Sequence, residues 1–441
     1  MDQITATDRR RFLSVTGSAF AALLASGCAA RSGAIATSPA LAGYGPLVPD
    51  PDGLFDLPQG FSYRVISKLG DPMNDGLRVP DAADGMGCFD LGGGKLALVR
   101  NHELMPEKDP GGEIPFGYDR IDGKVMPGGT TTLVLDARTL EVEQQYRSLA
   151  GTIRNCAGGT TPWGTWLTCE EAVVPVTDRN EKSHGWVFEV PADAGQLVNP
   201  PPLTAMGRFN HEAAAVDPKT GYVYMTEDRG DSLLYRFIPN VPGKLAQGGR
   251  LQALVMADGT TDSRNWEAAA VEVGVMKAVR WIDLDNVEAP EDDLRKRGAA
   301  AGAALFARGE GIHMGDGEMY FCCTNGGAAK LGQVFRLRPG KAGGPDALTL
   351  FFESTSPDQF NYGDNLTVAA NGHLIVCEDQ YTDVVDNHLR GITPQGQAYP
   401  LARLRVQTEP AGACFSPDGR VMFVNFFSPT TTIAVTGPWQ A

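Results

Sequence analysis

Thr161-Pro162-Trp163-Gly164-Thr165-Trp166-Leu167-Thr168-Cys169-Glu170-Glu171 reads as a turn followed by a short buried strand that ends in one thiol and two carboxylates. The chain holds five more segments of this kind. A glycine-bearing turn, an alternating apolar strand and a polar end recur at Gly92–Glu103, Asp217–Asp228, Gly315–Asn325, Asn371–Asp379 and Pro417–Asn425. Their cores read KLALVRNHE, TWLTCEE, YVYMTED, EMYFCCTN, HLIVCED and RVMFVNF. Self-similar sheet units spread over most of a chain predict an array rather than one sheet, and a closed ring of blades manages the edges of such units. Six copies therefore predict an all-β fold, a six-bladed β-propeller whose innermost strands run along a central axis. Polar strand ends would then meet at one mouth of that axis. They are Asn101, His102, Glu103, Cys169, Glu170, Glu171, Glu227, Asp228, Thr324, Asn325, Glu378, Asp379 and Asn425. Carboxylates crowded in this way repel one another unless cations sit among them.

Asp8-Arg9-Arg10-Arg11-Phe12-Leu13 places paired arginines ahead of an Ala-rich apolar run that ends at Leu24-Ala25-Ser26-Gly27-Cys28. The run is short for a membrane span and resembles a twin-arginine export signal, a route that carries proteins already folded. Small residues before Cys28 look like a lipoprotein cleavage box, which would place a lipid on Cys28; cleavage at a nearby Ala-rich site is the other reading. The expected organisation is a signal over residues 1–28, a flexible tether over 29–48 and a single propeller domain over 49–441. The protein is then exported, periplasmic or tethered to a membrane through Cys28.

Composition agrees with a turn-rich β protein, with 53 Gly and 30 Pro in 441 residues. The best helical candidate is a charged, Ala-rich insertion over Pro290–Arg308 that leads into Arg308-Gly309-Glu310-Gly311. A net charge of -15 argues against a nucleic-acid partner, since a phosphate backbone demands a basic face, and suits calcium better. Of the 8 cysteines, Cys88, Cys322, Cys323, Cys377 and Cys414 lie in apolar strand contexts and read as buried free thiols. Cys156 leaves open a bridge to Cys88 or Cys169. Cys169, followed by Glu170 and Glu171, is either an ordinary buried thiol or a metal ligand, because a thiolate beside two acids needs a cation.

Asn155-Cys156-Ala157-Gly158-Gly159-Thr160-Thr161-Pro162-Trp163-Gly164-Thr165-Trp166-Leu167-Thr168-Cys169-Glu170-Glu171 resembles the signature of PhoX-type alkaline phosphatases. Further motifs follow in the family's order: Asp84-Gly85-Met86, Asn101-His102-Glu103, Gly207-Arg208-Phe209-Asn210-His211-Glu212, Arg308-Gly309-Glu310-Gly311, Asp364-Asn365, Phe415-Ser416-Pro417-Asp418-Gly419 and Gly437-Pro438-Trp439. The resemblance spans about Leu57 to Trp439. It implies a six-bladed propeller with two oxide-bridged ferric ions and two or three calcium ions, hydrolysing phosphate monoesters and in some members diesters. Carried across by position, Cys169 would be the thiolate ligand to iron, Glu212 and Glu310 bridging carboxylates, and Arg308 the phosphate-binding residue. Glu170, Glu378 and Asp364 fit as further calcium or iron ligands.

The chemistry is coherent. Phosphoryl transfer needs charge neutralised on the equatorial oxygens and an in-line nucleophile, and hard cations with an arginine fork provide the first. No side-chain nucleophile is required, which agrees with a chain of only 6 His. Plainer readings also exist. Glu212 would start a strand, Glu310 would cap a turn, and Asp364-Asn365 would form an Asx turn. Asp418-Gly419 reads as a hairpin turn, Trp163 and Trp166 as core packing, and His102 and His211 as hydrogen-bond partners rather than ligands. The chain looks shorter than the family pattern around the channel mouth, which would favour bulkier esters. Two other functions fit the same pattern: a calcium-dependent propeller lactonase without a thiolate, and a non-catalytic metal-binding lipoprotein. The expected partners are small phosphate esters, and the expected state is a monomer.

Overall fold

Twelve strands paired as six hairpins position everything at the axis. We number them β1 (Ala83–Gly92) and β2 (Lys95–His102), β3 (Asn155–Thr160) and β4 (Thr165–Glu170), β5 (His211–Val216) and β6 (Val223–Glu227). They continue as β7 (Gly309–Met314) and β8 (Met319–Cys323), β9 (Gly363–Val368) and β10 (Leu374–Glu378), β11 (Pro410–Phe415) and β12 (Val421–Phe426). The structure, a computed structural model, describes residues 43–340 and 344–439. The expected export signal and Cys28 lie outside the described residues. Each odd strand packs on the next odd strand, and β11 returns to β1, so β1, β3, β5, β7, β9 and β11 line one axis. The fold is all-β and propeller-like.

The sheets extend outward from these hairpins. β1 and β2 continue into Gly128–Asp136 and Val142–Thr152, and β3 and β4 into Val187–Pro191. β5 and β7 are the two ends of one nine-stranded sheet joined through Met276–Asp283. β9 and β10 head a six-stranded sheet that takes in Phe55–Pro58 and Leu47–Val48 from the N-terminal side. β11 and β12 continue into Thr431–Thr436, which pairs with Ser62–Lys68 from the start of the chain. That pairing closes the ring with strands from both ends of the sequence. Apolar residues fill the spaces between sheets, as in the cluster of Leu167, Cys169, Val187, Val216 and Val223.

Three expectations change. The six recurrent apolar segments are the even strands, one place outward from the axis, and the innermost strands are the Gly- and Ala-rich segments that precede them. Crowding explains the difference: a Cβ on Gly311 would lie 2.6 Å from the Leu366 backbone nitrogen, and one on Gly85 would lie 2.5 Å from the Ala157 Cα. Strands this small-residued carry little apolar signal, so the flanking strands dominate the pattern. The predicted helix over Pro290–Arg308 is confined to Leu294–Ala300, ending before Gly302 at a φ of 95°. Leu305 and Phe306 instead bridge to Asp262 and Ser232, and a bend at 307–308, with Arg308 at a φ of 52°, leads into β7. Residues 43–48, assigned to the tether, already belong to the fold. Tyr44 packs on Phe61, Tyr399 and Trp439 and donates to the Trp439 carbonyl at 3.0 Å.

Candidate metal centre

All six inner strands carry the same irregularity. Between Ala83↔His102 and Met86↔Arg100 the inner strand advances three residues while its partner advances two, which is a β-bulge. The same step occurs at Asn155/Gly158, His211/Ala214, Gly309/Ile312, Gly363/Leu366 and Ala411/Cys414. The first bulged residue is Asp84, Cys156, Glu212, Glu310, Asp364 and Gly412 in turn. Five of these six equivalent places hold a metal-ligating side chain, all buried. Gly412, at a φ of 58°, fills the sixth because a Cβ there would overlap the Asp84 carbonyl oxygen.

Ligand atoms of Asp84, Glu103 and Cys156 lie within 4.8 Å of one another, as do those of Cys156, Glu171 and Glu212, and those of Glu212, Glu310 and Asp364. The groups share members, so they form one continuous arc around the axis. The Cys156 thiol donates to Asp84 Oδ2 and Glu212 Oε1, each at 3.3 Å. Asp84 Oδ1 and Glu212 Oε2 are buried with no hydrogen-bond partner. Burial, reinforced by their mutual repulsion, pushes the carboxyls of Asp84, Glu171, Glu212, Glu310 and Asp364 well above the usual range. Burial and then the charges of Asp84 and Glu212 push the Cys156 thiol up as well. Orphaned carboxylate oxygens beside a thiol, all destabilised as anions, fit a set of multivalent cations.

Two arginines stand over the arc at equivalent positions, one residue before an inner strand. Arg308 has a φ of 52° and Arg154 a φ of 46°, left-handed values that turn the chain into the axis. Arg308 donates Nε to Asp228 Oδ1 at 2.7 Å and Nη2 to Asp228 Oδ2 at 3.0 Å and Glu310 Oε1 at 2.9 Å. Arg154 donates Nε to Glu103 Oε1 and Nη2 to Glu171 Oε2, both at 2.7 Å. Their side chains are 30% and 33% exposed, so each keeps one side toward solvent while its partners face inward.

The residues predicted from sequence divide. Glu212, Glu310, Asp364 and Arg308 meet at the arc. Cys169, Glu170 and Glu378 do not. Cys169 is fully buried among Leu167, Val187 and Val223, one strand out from the axis. Glu170 accepts from the backbone nitrogens of Ile153, Gly185 and Trp186 and from His184 Nδ1, so both oxygens anchor a neighbouring loop. Glu378 does likewise with the nitrogens of Asn361 and His388 and with Arg390 Nε. Strand alternation is the reason: Glu171 and Asp379, one residue later, turn to the opposite side. Glu103 and Glu171 stand among the strand ends expected at the axis, without an individual ligand role; Cys156, Asp84 and Arg154 carry no site expectation. The signal for Cys156 was available in its neighbours, since Asn155-Cys156-Ala157-Gly158-Gly159 has the small-residue make-up of an axial strand. His102 bonds the Thr131 hydroxyl and the Asp81 carbonyl, and His211 bonds the Gly207 carbonyl; neither belongs to the arc.

A family profile described as "Alkaline phosphatase PhoX" matches residues 42–143 and 135–430. Among solved structures, the chain is similar to Pseudomonas fluorescens PhoX in complex with vanadate, a transition state analogue, at 20% identity and a TM-score of 0.68. That likeness covers 87% of this chain and 96% of the other. A gluconolactonase from Xanthomonas campestris is more distant, at 14% identity and a TM-score of 0.41, with 90% of this chain and 99% of the other covered. Comparison with curated proteins finds no match.

Proposed function

The chain belongs to the PhoX family of metal-dependent alkaline phosphatases, and from that premise we propose that its axial arc holds two ferric and two or three calcium ions and hydrolyses phosphate monoesters. The observation that carries this reading is the repeated bulge: five equivalent places on five strands present Asp84, Cys156, Glu212, Glu310 and Asp364 to one axis. A thiol set among carboxylates suits a borderline or trivalent transition metal beside hard calcium ions. Cys156, not Cys169, is then the thiolate ligand. Glu103 and Glu171 join the ligand set. Bound ions supply positive charge opposite the phosphoryl oxygens and lower the pKa of water.

The chain's own part is to bind and orient. Arg308, with Nε and Nη2 held by Asp228, presents the remaining edge of a planar fork to phosphate oxygens. Arg154 faces the arc from the equivalent position two inner strands away and is the second candidate for a phosphate contact. We read the nine-stranded sheet as two blades joined at their outer strands, which brings the blade count to six. Export by the twin-arginine route, a lipid on Cys28 and a monomeric state belong to the same proposal.

The test is elemental analysis of protein exported by its own host, together with p-nitrophenyl phosphate hydrolysis before and after calcium chelation. Iron near two equivalents and activity that disappears with chelation and returns with calcium are expected. Full activity in metal-free protein would overturn the reading.

A further inference from the structure

Away from the axis, two arginines bring positive charge into the interior without a carboxylate to meet it. Arg100 on β2 and Arg147 on Val142–Thr152 both stand opposite Thr131 of the intervening strand, so all three share one face of that sheet. Both arginines are fully buried. Arg100 donates Nε and Nη2 to the Thr131 hydroxyl at 3.2 and 3.1 Å, and Nη1 to the hydroxyls of Ser67 and Thr432. Ser67 and Thr432 belong to the strand pair that closes the ring. Arg147 donates Nη2 to the carbonyls of Pro110 and Pro127, both at 3.0 Å. Its Nε and Nη1 are buried and meet no acceptor among the described residues.

The nearest acids do not resolve this. Asp71 and Asp75 are exposed, and their oxygens accept backbone N–H groups: Lys68 at 2.8 Å for Asp71, and Leu77 at 3.1 Å and Arg147 at 2.7 Å for Asp75. His102, which shares the Thr131 hydroxyl, is an imidazole and has no negative charge to offer either arginine. Burial lowers Arg100 to about 9 and Arg147 to about 10, and both stay charged at neutral pH. Two cations out of water, met only by hydroxyls and carbonyls, call for a counter-charge.

We propose that Arg147, with Arg100 beside it across Thr131, binds a small inorganic anion, a halide or a tetrahedral oxyanion, between the sheet of β1 and β2 and the strands that close the ring. The site is separate from the axial centre. It holds the strand whose end carries Glu103 against the closure, so it acts on stability rather than on the reaction.

Thermal unfolding of the metal-loaded protein at constant ionic strength, with sodium gluconate replaced stepwise by chloride or bromide, reads the site directly. The midpoint is expected to rise saturably by a few degrees with the small anion, and no rise with any anion overturns the proposal. A phosphate titration, read as the difference between the parent and Arg147→Met so that binding at the axial centre cancels, distinguishes an oxyanion from a halide. In Arg147→Met the saturable rise disappears while the midpoint in gluconate stays equal to the parent's or exceeds it, because a buried unpaired charge has been replaced by an apolar chain. An unchanged anion response in that variant sinks the proposal. Should Arg147→Met fail to fold, anomalous diffraction from crystals soaked in bromide and, separately, in the phosphate analogue arsenate decides: a peak in hydrogen-bond reach of Arg147 Nε or Nη1 supports the site, and ordered water alone in both soaks overturns it.

Discussion

Cys156 and Cys169 lie on the two strands of one hairpin, and only the first reaches the axis. Cys169 packs with Leu167 and Val187, where its thiol behaves as a small apolar group, and burial pushes it up beyond the ordinary thiol range. If Cys156 is the thiolate ligand proposed above, Cys156→Ser is expected to lose bound iron and at least ~100-fold in phosphatase turnover. Cys169→Ala is expected to keep metal and turnover, and to lower stability by about 1–2 kcal/mol through the small cavity it leaves. Metal analysis, steady-state assay and denaturant unfolding on the two variants check this; iron loss from the Cys169 variant instead of the Cys156 variant would reverse the assignment. Glu170 and Glu171 make the same point by alternation. Neighbours in sequence, one ties down the loop around His184 and the other faces the arc.

At the scale of the strand, the bulge is the device that aims the ligands. An extra residue breaks the period of two for one step, so a side chain that would alternate into the sheet is turned toward the axis. Close packing of the inner strands enforces it. Gly311 sits against the Asp364–Leu366 backbone, and a methyl group there would part β7 from β9. Gly311→Ala is expected to lower stability by about 3 kcal/mol or more and to reduce metal content, because Glu310 and Asp364 would be displaced from each other. Gly164, with open space around a Cβ and a φ of 83°, is the control: Gly164→Ala is expected to cost about 1 kcal/mol from backbone conformation alone and to leave the metals in place. Chemical denaturation with elemental analysis of both variants measures the contrast. The even strands were legible because they are nearly unbroken apolar runs with β-branched and aromatic residues. The inner strands were not, because the property that admits them to the axis, a lack of side chain, also erases the periodic signal.

For the molecule as a whole, the acidic arc couples metal, pH and stability. The carboxyls of Asp84, Glu171, Glu212, Glu310 and Asp364 are raised in the folded protein, so without cations the native state binds more protons than the unfolded chain. The stability that this protonation confers is complete below the ordinary carboxylate range and is lost as pH rises through the higher folded values. Chelated protein is expected to melt at a higher temperature near pH 5 than near pH 8, and calcium is expected to restore most of the loss at pH 8. Melting curves across pH with and without chelator test it, and a chelated protein more stable at pH 8 than at pH 5 would contradict the coupling. The ring closure matters at this scale too. Ser62–Lys68 completes the sheet of β11 and β12, so the arc's geometry depends on strands near both ends of the chain meeting.

By itself the sequence determined that this is a chain of repeated sheet units with polar, acid-rich ends, and its resemblance to a known family pointed to Arg308, Glu212, Glu310 and Asp364, which the structure brings to one arc. The repeat follows from hydrophobic period and residue chemistry, which are local; the four positions follow from motif likeness and not from any period. Only the tertiary structure decided which strand of each hairpin faces the axis, which cysteine reaches the acidic arc, and that Arg154 stands as the counterpart of Arg308. Those depend on a one-residue shift in register and on backbone approach between strands far apart in sequence, and a change of that size reverses where a side chain points without altering any pattern that can be read along the chain.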